Sequence, residues 1–225
     1  MSRAPSPWLL LVATVFVACL LTANIIAVKL VDFRWAVLPA AVIVFPLSYV
    51  VGDVLTEVYG YATARRVIWM GFLANLVLVV FIYLGQGLPP ASFWDGQTAY
   101  ERILGFTSRI LVASFTAYLF GEFTNSFVLA KMKVFTRGRW LFSRTIGSTL
   151  VGQLVDSAIF ITIAFVGVLP ADELGRTIAA QWAFKSGYEA LATPLTYVVV
   201  GFLKRREGLD TYDEKTSFNP LAITH

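Results

Sequence analysis

The sequence predicts an all-α membrane protein with six transmembrane helices. Of its 225 residues, 57% are hydrophobic and 14% are charged, and the mean hydropathy is +0.71. Soluble domains carry about 25% charged residues, and so short a soluble chain could not hide this much apolar surface. The apolar residues form continuous runs rather than alternating ten-residue segments. This pattern favours helices over a β-barrel, because helices satisfy their own backbone hydrogen bonds in lipid.

Six apolar runs are long enough to cross a hydrocarbon core that is about 30 Å thick. The first run could be a signal peptide, but at about 20 residues it has the length of a span, so we expect no cleavage. We predict one transmembrane domain over residues 1–203, followed by a polar cytoplasmic tail at 204–225. We expect this tail to be poorly ordered. The predicted spans are residues 8–28, 36–58, 67–84, 108–130, 144–168 and 181–203.

The basic residues predict how these spans are oriented. With a cytoplasmic N-terminus, the inner segments hold eleven lysines and arginines and the outer segments hold five. Cytoplasmic loops carry an excess of such residues, so we expect both termini to be cytoplasmic. The longest loop, residues 85–108, lies outside on this topology. It is equally compatible with a binding loop, including a short helix at 97–104, and with an aromatic anchor at the membrane surface.

The second span carries two acids one helical turn apart. Tyr49, Asp53 and Glu57 repeat at four-residue steps and therefore share one face of a helix. An ionisable residue deep in a bilayer costs roughly 2.5–3.5 kcal/mol, so such residues are usually paired or functional. We expect Glu57 to pair with Arg65 or Arg66 near the cytoplasmic surface. Asp53 lies deeper, where it either binds substrate or holds helices together.

The fourth and fifth spans carry polar residues with the same helical spacing. Tyr118, Glu122 and Asn125 share a face of span four, and Gln153 and Asp156 share a face of span five. A carboxylate with an amide one turn away, near the middle of a span, is difficult to explain as the end of a helix. These residues predict the lining of a cavity.

The remaining polar residues of the spans allow structural roles as well. Asp156 could form an intramembrane ion pair with Lys185, and Lys185 could also pair with Glu189 four residues later. Arg144 begins span five, and Asn24 lies within span one. Taken together, the acids and amides indicate a polar cavity for a polar ligand, or a path for ions.

The candidate residues fall into two groups. Those that we predict to bind substrate are Asp53, Tyr118, Glu122, Asn125, Gln153, Asp156, Asn24 and Lys185. Those that we predict to have structural or ion-pair roles are Glu57, Arg65, Arg144 and Glu189.

Several functions are disfavoured by missing motifs. The sequence has no phosphate-binding G-x-x-x-x-G-K-[ST] loop, no H-E-x-x-H and no G-x-S-x-G. The only histidine is His225, so a histidine-based metal site is not expected. Asp53 and Asp156 have no local signature of a catalytic aspartate pair. We therefore predict that the protein is not an enzyme and has neither a cofactor nor a metal.

Three stretches resemble the queuosine precursor transporter family. They are FPLSYVVGDVLTEVYGYATARRVIW (45–69), GEFTNSFVLAKMKV (121–134) and SRTIGSTLVGQLVDSAIFITIAFVG (143–167). That family belongs to the vitamin uptake transporters, which are related to the substrate-binding subunits of energy-coupling-factor (ECF) systems. The resemblance extends from Thr22 to about Leu203. One departure is Glu122, where the family often has glutamine.

The resemblance implies a bundle of six helices, like an ECF substrate-binding subunit, in the bacterial inner membrane. It also implies uptake of 7-deazaguanine bases for tRNA queuosine salvage: 7-cyano-7-deazaguanine, 7-aminomethyl-7-deazaguanine or queuine. Such a base presents N–H donors beside one carbonyl acceptor, which carboxylates and amides one turn apart can match. The expected partners are the base and the lipid bilayer, with no nucleic acid.

Two other functions stay open. The chain could be a substrate-capture subunit that requires a separate ECF ATPase module, or it could be a structural or assembly protein of the membrane. A homo-oligomer, proton coupling and facilitated diffusion also stay open.

Overall fold

The computed structural model describes residues 6–32, 37–105, 108–167, 170–214 and 216–221. Arg3, Arg34, Lys215 and His225, which entered the sequence analysis, lie outside this part of the chain. The helices are α1 (Pro7–Ile26), α2 (Phe45–Tyr59), α3 (Tyr61–Gln86), α4 (Gln97–Leu104), α5 (Ser108–Phe135), α6 (Leu141–Phe165) and α7 (Ala171–Glu207). Two short strands, β1 (Leu30–Asp32) and β2 (Val37–Pro39), precede a 3₁₀ helix at Ala40–Ile43.

The helical membrane character predicted from the sequence is confirmed. Among the described residues, three helices, α1, α3 and α6, are long and apolar enough to cross a membrane. Helices α5 and α7 are longer than a span, with 28 and 37 residues. The predicted short helix of the 85–108 loop is present as α4.

The second predicted span is wrong in its first third. We expected one helix over residues 36–58, but helix α2 begins only at Phe45. The preceding residues form β2, which pairs antiparallel with β1 so that Leu30 faces Pro39. Prolines explain the break, because they lack an N–H donor and are tolerated only in the first turn of a helix. Pro46 occupies that turn of α2.

Helix α2 lies in the middle of the bundle. It contacts helices α1, α3, α5 and α7, and every residue from 48 to 60 is buried. With 15 residues, it is only about 22 Å long at 1.5 Å per residue. The short central helix therefore presents its acids to several neighbouring helices at once.

Helices α5 and α6 approach each other closely at two glycines. A Cβ atom on Gly121 would lie 2.8 Å from the Cβ of Asp156, and one on Gly152 would lie 2.8 Å from the Cβ of Asn125. Small residues at such positions let the backbones of membrane helices come together. This approach brings the polar faces of α5 and α6 side by side.

The described part of the C-terminal tail packs against the bundle, so the expectation of a poorly ordered tail is wrong there. We call residues 209–214 and 216–221 the tail segment. Its Asp213 accepts a hydrogen bond from the backbone N of Tyr61 at 2.9 Å, and its Ser217 carbonyl accepts one from Arg65 at 2.8 Å. The first N–H groups of a helix lack intrahelical partners, and Asp213 supplies one for α3.

The loop between α3 and α5 forms a pocket of about 370 Å³. Leu88, Phe93, Trp94 and Tyr100 are among its lining residues. Trp94 packs edge-on against Tyr100, with 6.4 Å between the ring centroids. Both sequence interpretations of this loop, a binding loop and an aromatic anchor, stay predictions.

Candidate functional site

Seven polar side chains from four helices meet in the interior of the bundle, and we call them the central cluster. All are buried except Lys185, which is partly buried. The cluster consists of Asp53 from α2, Glu122 and Asn125 from α5, Gln153 and Asp156 from α6, and Lys185 and Glu189 from α7. Little of the cluster is exposed to solvent, with the largest exposure at the side chains of Lys185 (13%) and Asp156 (11%).

Three contacts link the helices through the central cluster. The Asn125 Nδ2 atom donates a hydrogen bond to Asp53 Oδ1 at 2.9 Å, which joins α5 to α2. Lys185 Nζ forms an ion pair with Asp156 Oδ2 at 2.5 Å, which joins α7 to α6. Thr149 Oγ1 donates to Glu189 Oε1 at 2.6 Å, also between α6 and α7.

Several buried atoms of the central cluster have no hydrogen-bond partner. They are Glu122 Oε2, Asn125 Oδ1, Glu189 Oε2 and both amide atoms of Gln153. Gln153 lies beside Tyr49 and Glu189, but its amide makes no hydrogen bond of acceptable geometry with either. Most buried polar groups in proteins are paired, and an unpaired one costs about 1–3 kcal/mol. Several unpaired polar atoms in one interior are typical of a site where a polar ligand supplies the missing hydrogen bonds.

The central cluster carries an excess of negative charge. It contains four carboxylates and one ammonium group, and that ammonium is bound to Asp156. Glu122 interacts electrostatically with Asp53, Asp156 and Lys185, so the acids share one environment. Within the described residues, no group of three or more His, Cys, Asp or Glu side chains is close enough to hold a metal ion.

A second buried cluster surrounds Glu57, and we call it the ion-pair cluster. The guanidinium of Arg144 binds the Glu57 carboxylate through both oxygens, at 2.6 and 3.2 Å. Lys204 lies 2.7 Å and Lys133 lies 3.5 Å from Glu57 Oε1. Removal of one partner of a buried pair costs about 3–5 kcal/mol, so this cluster fixes the end of α2 to helices α5, α6 and α7.

The expected partner of Glu57 was therefore wrong. Arg65 forms no ion pair with Glu57 and instead donates hydrogen bonds to the carbonyls of Ser217 and Asn219 in the tail segment, at 2.8 and 2.7 Å. Arg144 lies in the first turn of α6, 87 positions later in the chain, and no local spacing relates it to Glu57. The structural role predicted for Arg144 fits its contacts.

Asp210 of the tail segment completes the ion-pair cluster. Its Oδ1 atom lies 2.6 Å from Lys133 Nζ and 2.9 Å from Lys204 Nζ. Partial burial raises the pKa of the Asp210 carboxyl, but hydrogen bonds from Lys133 and Lys204 outweigh this effect and hold the pKa below its ordinary value. The tail segment is thus held to the bundle by charge as well as by backbone contacts.

Three predicted site residues have other contacts. Asn24 Nδ2 donates to Asn75 Oδ1 at 2.9 Å, between α1 and α3. The Tyr118 hydroxyl donates to the Ile68 carbonyl of α3 at 2.9 Å. Glu189 does not pair with Lys185 along α7, and it joins the central cluster instead, because Lys185 reaches across to Asp156.

Sequence reasoning missed Lys133, which it counted only as a basic residue of a cytoplasmic segment. The side chain is 2% exposed and lies within α5, beside Glu57. A signal was present, because Asn125, Leu129 and Lys133 repeat at four-residue steps and therefore share a helix face. Lys204 and Asp210 were assigned to the boundary and the tail, where no such pattern exists.

A helical membrane chain with a buried cluster of polar side chains in its interior has the features of a membrane transporter. The sequence model of one family, described as "Putative vitamin uptake transporter", matches residues 39–199. This chain belongs to the queuosine precursor transporter family, among the vitamin uptake transporters.

The curated relatives support this membership. The chain is 33% identical over 177 residues, 78% of this chain and 77% of the relative, to a "Probable queuosine precursor transporter" from Bacillus subtilis (strain 168). It is 30% identical over 125 residues, 54% of this chain and 52% of the relative, to the "Queuosine precursor transporter" of Escherichia coli (strain K12). No solved structure matches the chain significantly.

Proposed function

We propose that this protein imports queuosine precursors, in the form of 7-deazaguanine bases, and binds them at the central cluster. The observation that carries the proposal is the set of unpartnered atoms in that cluster. Four of them are hydrogen-bond acceptors, on Glu122, Asn125, Gln153 and Glu189, and one is a donor, the amide nitrogen of Gln153. A 7-deazaguanine edge has the complementary pattern, with several N–H donors beside one carbonyl.

The same pattern supports discrimination against other ligands. A site built from buried polar groups rejects analogues that leave those groups unpaired. Ligands of the same size with fewer N–H donors would leave the carboxylates unpaired, so we expect them to bind weakly.

The bundle supports six crossings with both termini on the cytoplasmic side of the bacterial inner membrane. Ser6, which caps α1, donates a hydrogen bond to Glu207 at the end of α7, so the start of α1 and the end of α7 lie at the same end of the bundle. We expect the six crossings to alternate in direction, as in an ECF substrate-binding subunit. Helix α2 needs the preceding strands and 3₁₀ helix to complete its crossing, because it is shorter than the bilayer core.

Transport requires the site to open to each side in turn. In many transporters the polar site lies near the membrane midplane, and helices move around it. The central cluster is contributed by α2, α5, α6 and α7, so we expect entry to need their separation. The sequence features and the contacts are equally compatible with proton coupling and with facilitated diffusion.

Uptake by the purified chain alone in lipid vesicles tests the proposal. We expect saturable uptake of labelled 7-cyano-7-deazaguanine, 7-aminomethyl-7-deazaguanine or queuine, and little or no uptake of guanine, biotin or riboflavin. Binding without uptake would indicate a capture subunit that needs a separate ATPase module. Absence of saturable binding for every deazaguanine would contradict the proposed function and favour a structural role.

A further inference from the structure

Glu122 differs from the other acids of the central cluster in its lack of partners. Asp53 accepts a hydrogen bond from Asn125, Glu189 accepts one from Thr149, and Asp156 is paired with Lys185. Glu122 is only 4% exposed, and among the described residues no hydrogen bond or ion pair reaches it. Its Oε2 atom is a buried acceptor with nothing to accept.

The surroundings of Glu122 are more acidic than basic. Asp53 from α2, Asp156 from α6 and Glu189 from α7 all interact with it electrostatically, as does the single ammonium of Lys185. Lys185 forms an ion pair with Asp156 at 2.5 Å, so its positive charge mainly compensates the negative charge of Asp156. The ion-pair cluster does not relieve this excess, because Arg144 and Lys204 are bound to Glu57.

A glycine of α2 lies directly against the Glu122 carboxylate. Gly52 of α2 faces the Glu122 carboxylate, and a Cβ atom at this position would lie 3.3 Å from Oε2. A side chain here would therefore crowd the unpartnered oxygen. Glycine is found where another group must approach a helix backbone closely.

A buried, uncompensated carboxylate must be neutralised by a proton or by a cation, because its desolvation is costly. The described residues do not form a metal site. An ammonium group on a ligand would supply both the missing charge and up to three N–H donors. A neutral ligand of the same shape would supply donors without charge.

We propose that Glu122 makes the central cluster selective for a ligand that bears a positive charge, namely a 7-deazaguanine whose arm ends in a protonated amine. This inference rests on the proposed function and names the charge class of its substrate. The 7-aminomethyl base has such an arm, whereas the 7-cyano base shares its ring and is neutral.

Binding of these two bases to the full-length protein in lipid nanodiscs tests the inference. We expect the wild type to bind the aminomethyl base about tenfold tighter than the cyano base, and the Glu122→Gln variant to lose most of that preference. Glutamine has nearly the same shape as glutamate but carries no charge, and it presents an NH2 donor in place of one acceptor oxygen. Glu122→Asp keeps the charge and should retain the preference, whereas Glu173→Gln, exposed near the start of α7, should change nothing.

A ligand-side comparison decides the matter even if Glu122→Gln does not fold. Replacement of the arm's amine by a hydroxyl removes the charge at nearly the same size, so the 7-hydroxymethyl base should bind to the wild type about tenfold more weakly than the aminomethyl base. Preference of the wild type for the cyano base, or an equal ratio in the wild type and Glu122→Gln, would overturn the inference. If neither base binds saturably to the wild type, the proposed function itself fails.

Discussion

Gln153 illustrates how a single residue can be costly for folding and useful for binding. It is 1% exposed, and neither atom of its amide is hydrogen-bonded. A residue selected for packing alone would be apolar here, because replacement of an unpaired buried polar group by an apolar group of similar shape can be neutral or stabilising. We therefore interpret Gln153 as a binding residue.

The Gln153→Met variant tests this interpretation. We expect its thermal stability to match or exceed that of the wild type, while uptake of the preferred base falls by about tenfold or more, because the unpartnered amide donor of the central cluster is lost. Thermal unfolding in detergent and uptake in vesicles measure the two effects. A clear loss of stability with normal uptake would assign Gln153 a structural role.

Asp53 and Glu57 show how two acids on one helix face acquire different roles. Their four-residue spacing predicted a shared face, and both are buried. Asp53 binds Asn125 in the central cluster, whereas Glu57 binds Arg144 in the ion-pair cluster. One helical turn thus separates a candidate binding site from a structural anchor.

At the scale of helices, the contact between α5 and α6 positions the candidate site. Glu122 and Asn125 follow Gly121 on α5, and Gln153 and Asp156 follow Gly152 on α6. The glycines let the two backbones approach until each Cα faces the partner's side chain. Greater separation of the helices would move the amides and carboxylates apart.

Gly121→Ala should therefore destabilise the protein by about 1–3 kcal/mol, since overpacking forces neighbouring backbones to shift. It should also weaken base binding. Thermal unfolding and a binding titration measure these effects. Gly187→Ala is the matched control, because nothing lies within 4 Å of a Cβ at that position of α7. That control should stabilise the helix by about 0.5–1 kcal/mol, and equal behaviour of the two variants would contradict the close-packing argument.

At the scale of the whole molecule, the tail segment ties together helices that lie far apart in the chain. Asp213 supports the start of α3, and Asp210 bridges Lys133 of α5 and Lys204 of α7. The Thr211 backbone N also donates to the Val58 carbonyl at the end of α2. The tail segment thus closes one end of the bundle over the ion-pair cluster.

The lowered pKa of Asp210 predicts that this closure depends on pH. A carboxyl whose folded pKa is depressed stabilises the fold above its unfolded pKa, about 4, and this contribution is lost as the pH falls through the folded value. We expect the wild-type tail segment to be protected at neutral pH and to open below about pH 4. Hydrogen exchange of the tail amides, corrected for intrinsic rates, measures the opening.

The Asp210→Asn variant is the control for this pH dependence. Its tail segment should exchange faster than that of the wild type at neutral pH, and the difference between the two proteins should shrink in acid. An identical exchange profile for both proteins across the pH range would show that the ion pairs of Asp210 do not hold the tail.

The sequence by itself determined the membrane class, the long helices and the faces of α2, α5 and α6 that carry polar residues. These features depend on hydropathy and on helical spacing, which are local properties. The tertiary structure decided which faces meet. Helix packing brings Gln153, Asp156 and Lys185 together. It also pairs Asn24 and Tyr118 with residues outside the central cluster, and it pairs Glu57 with Arg144 rather than with Arg65. Such pairings depend on helix packing and on groups far apart in the chain, for which a single sequence contains no local signal.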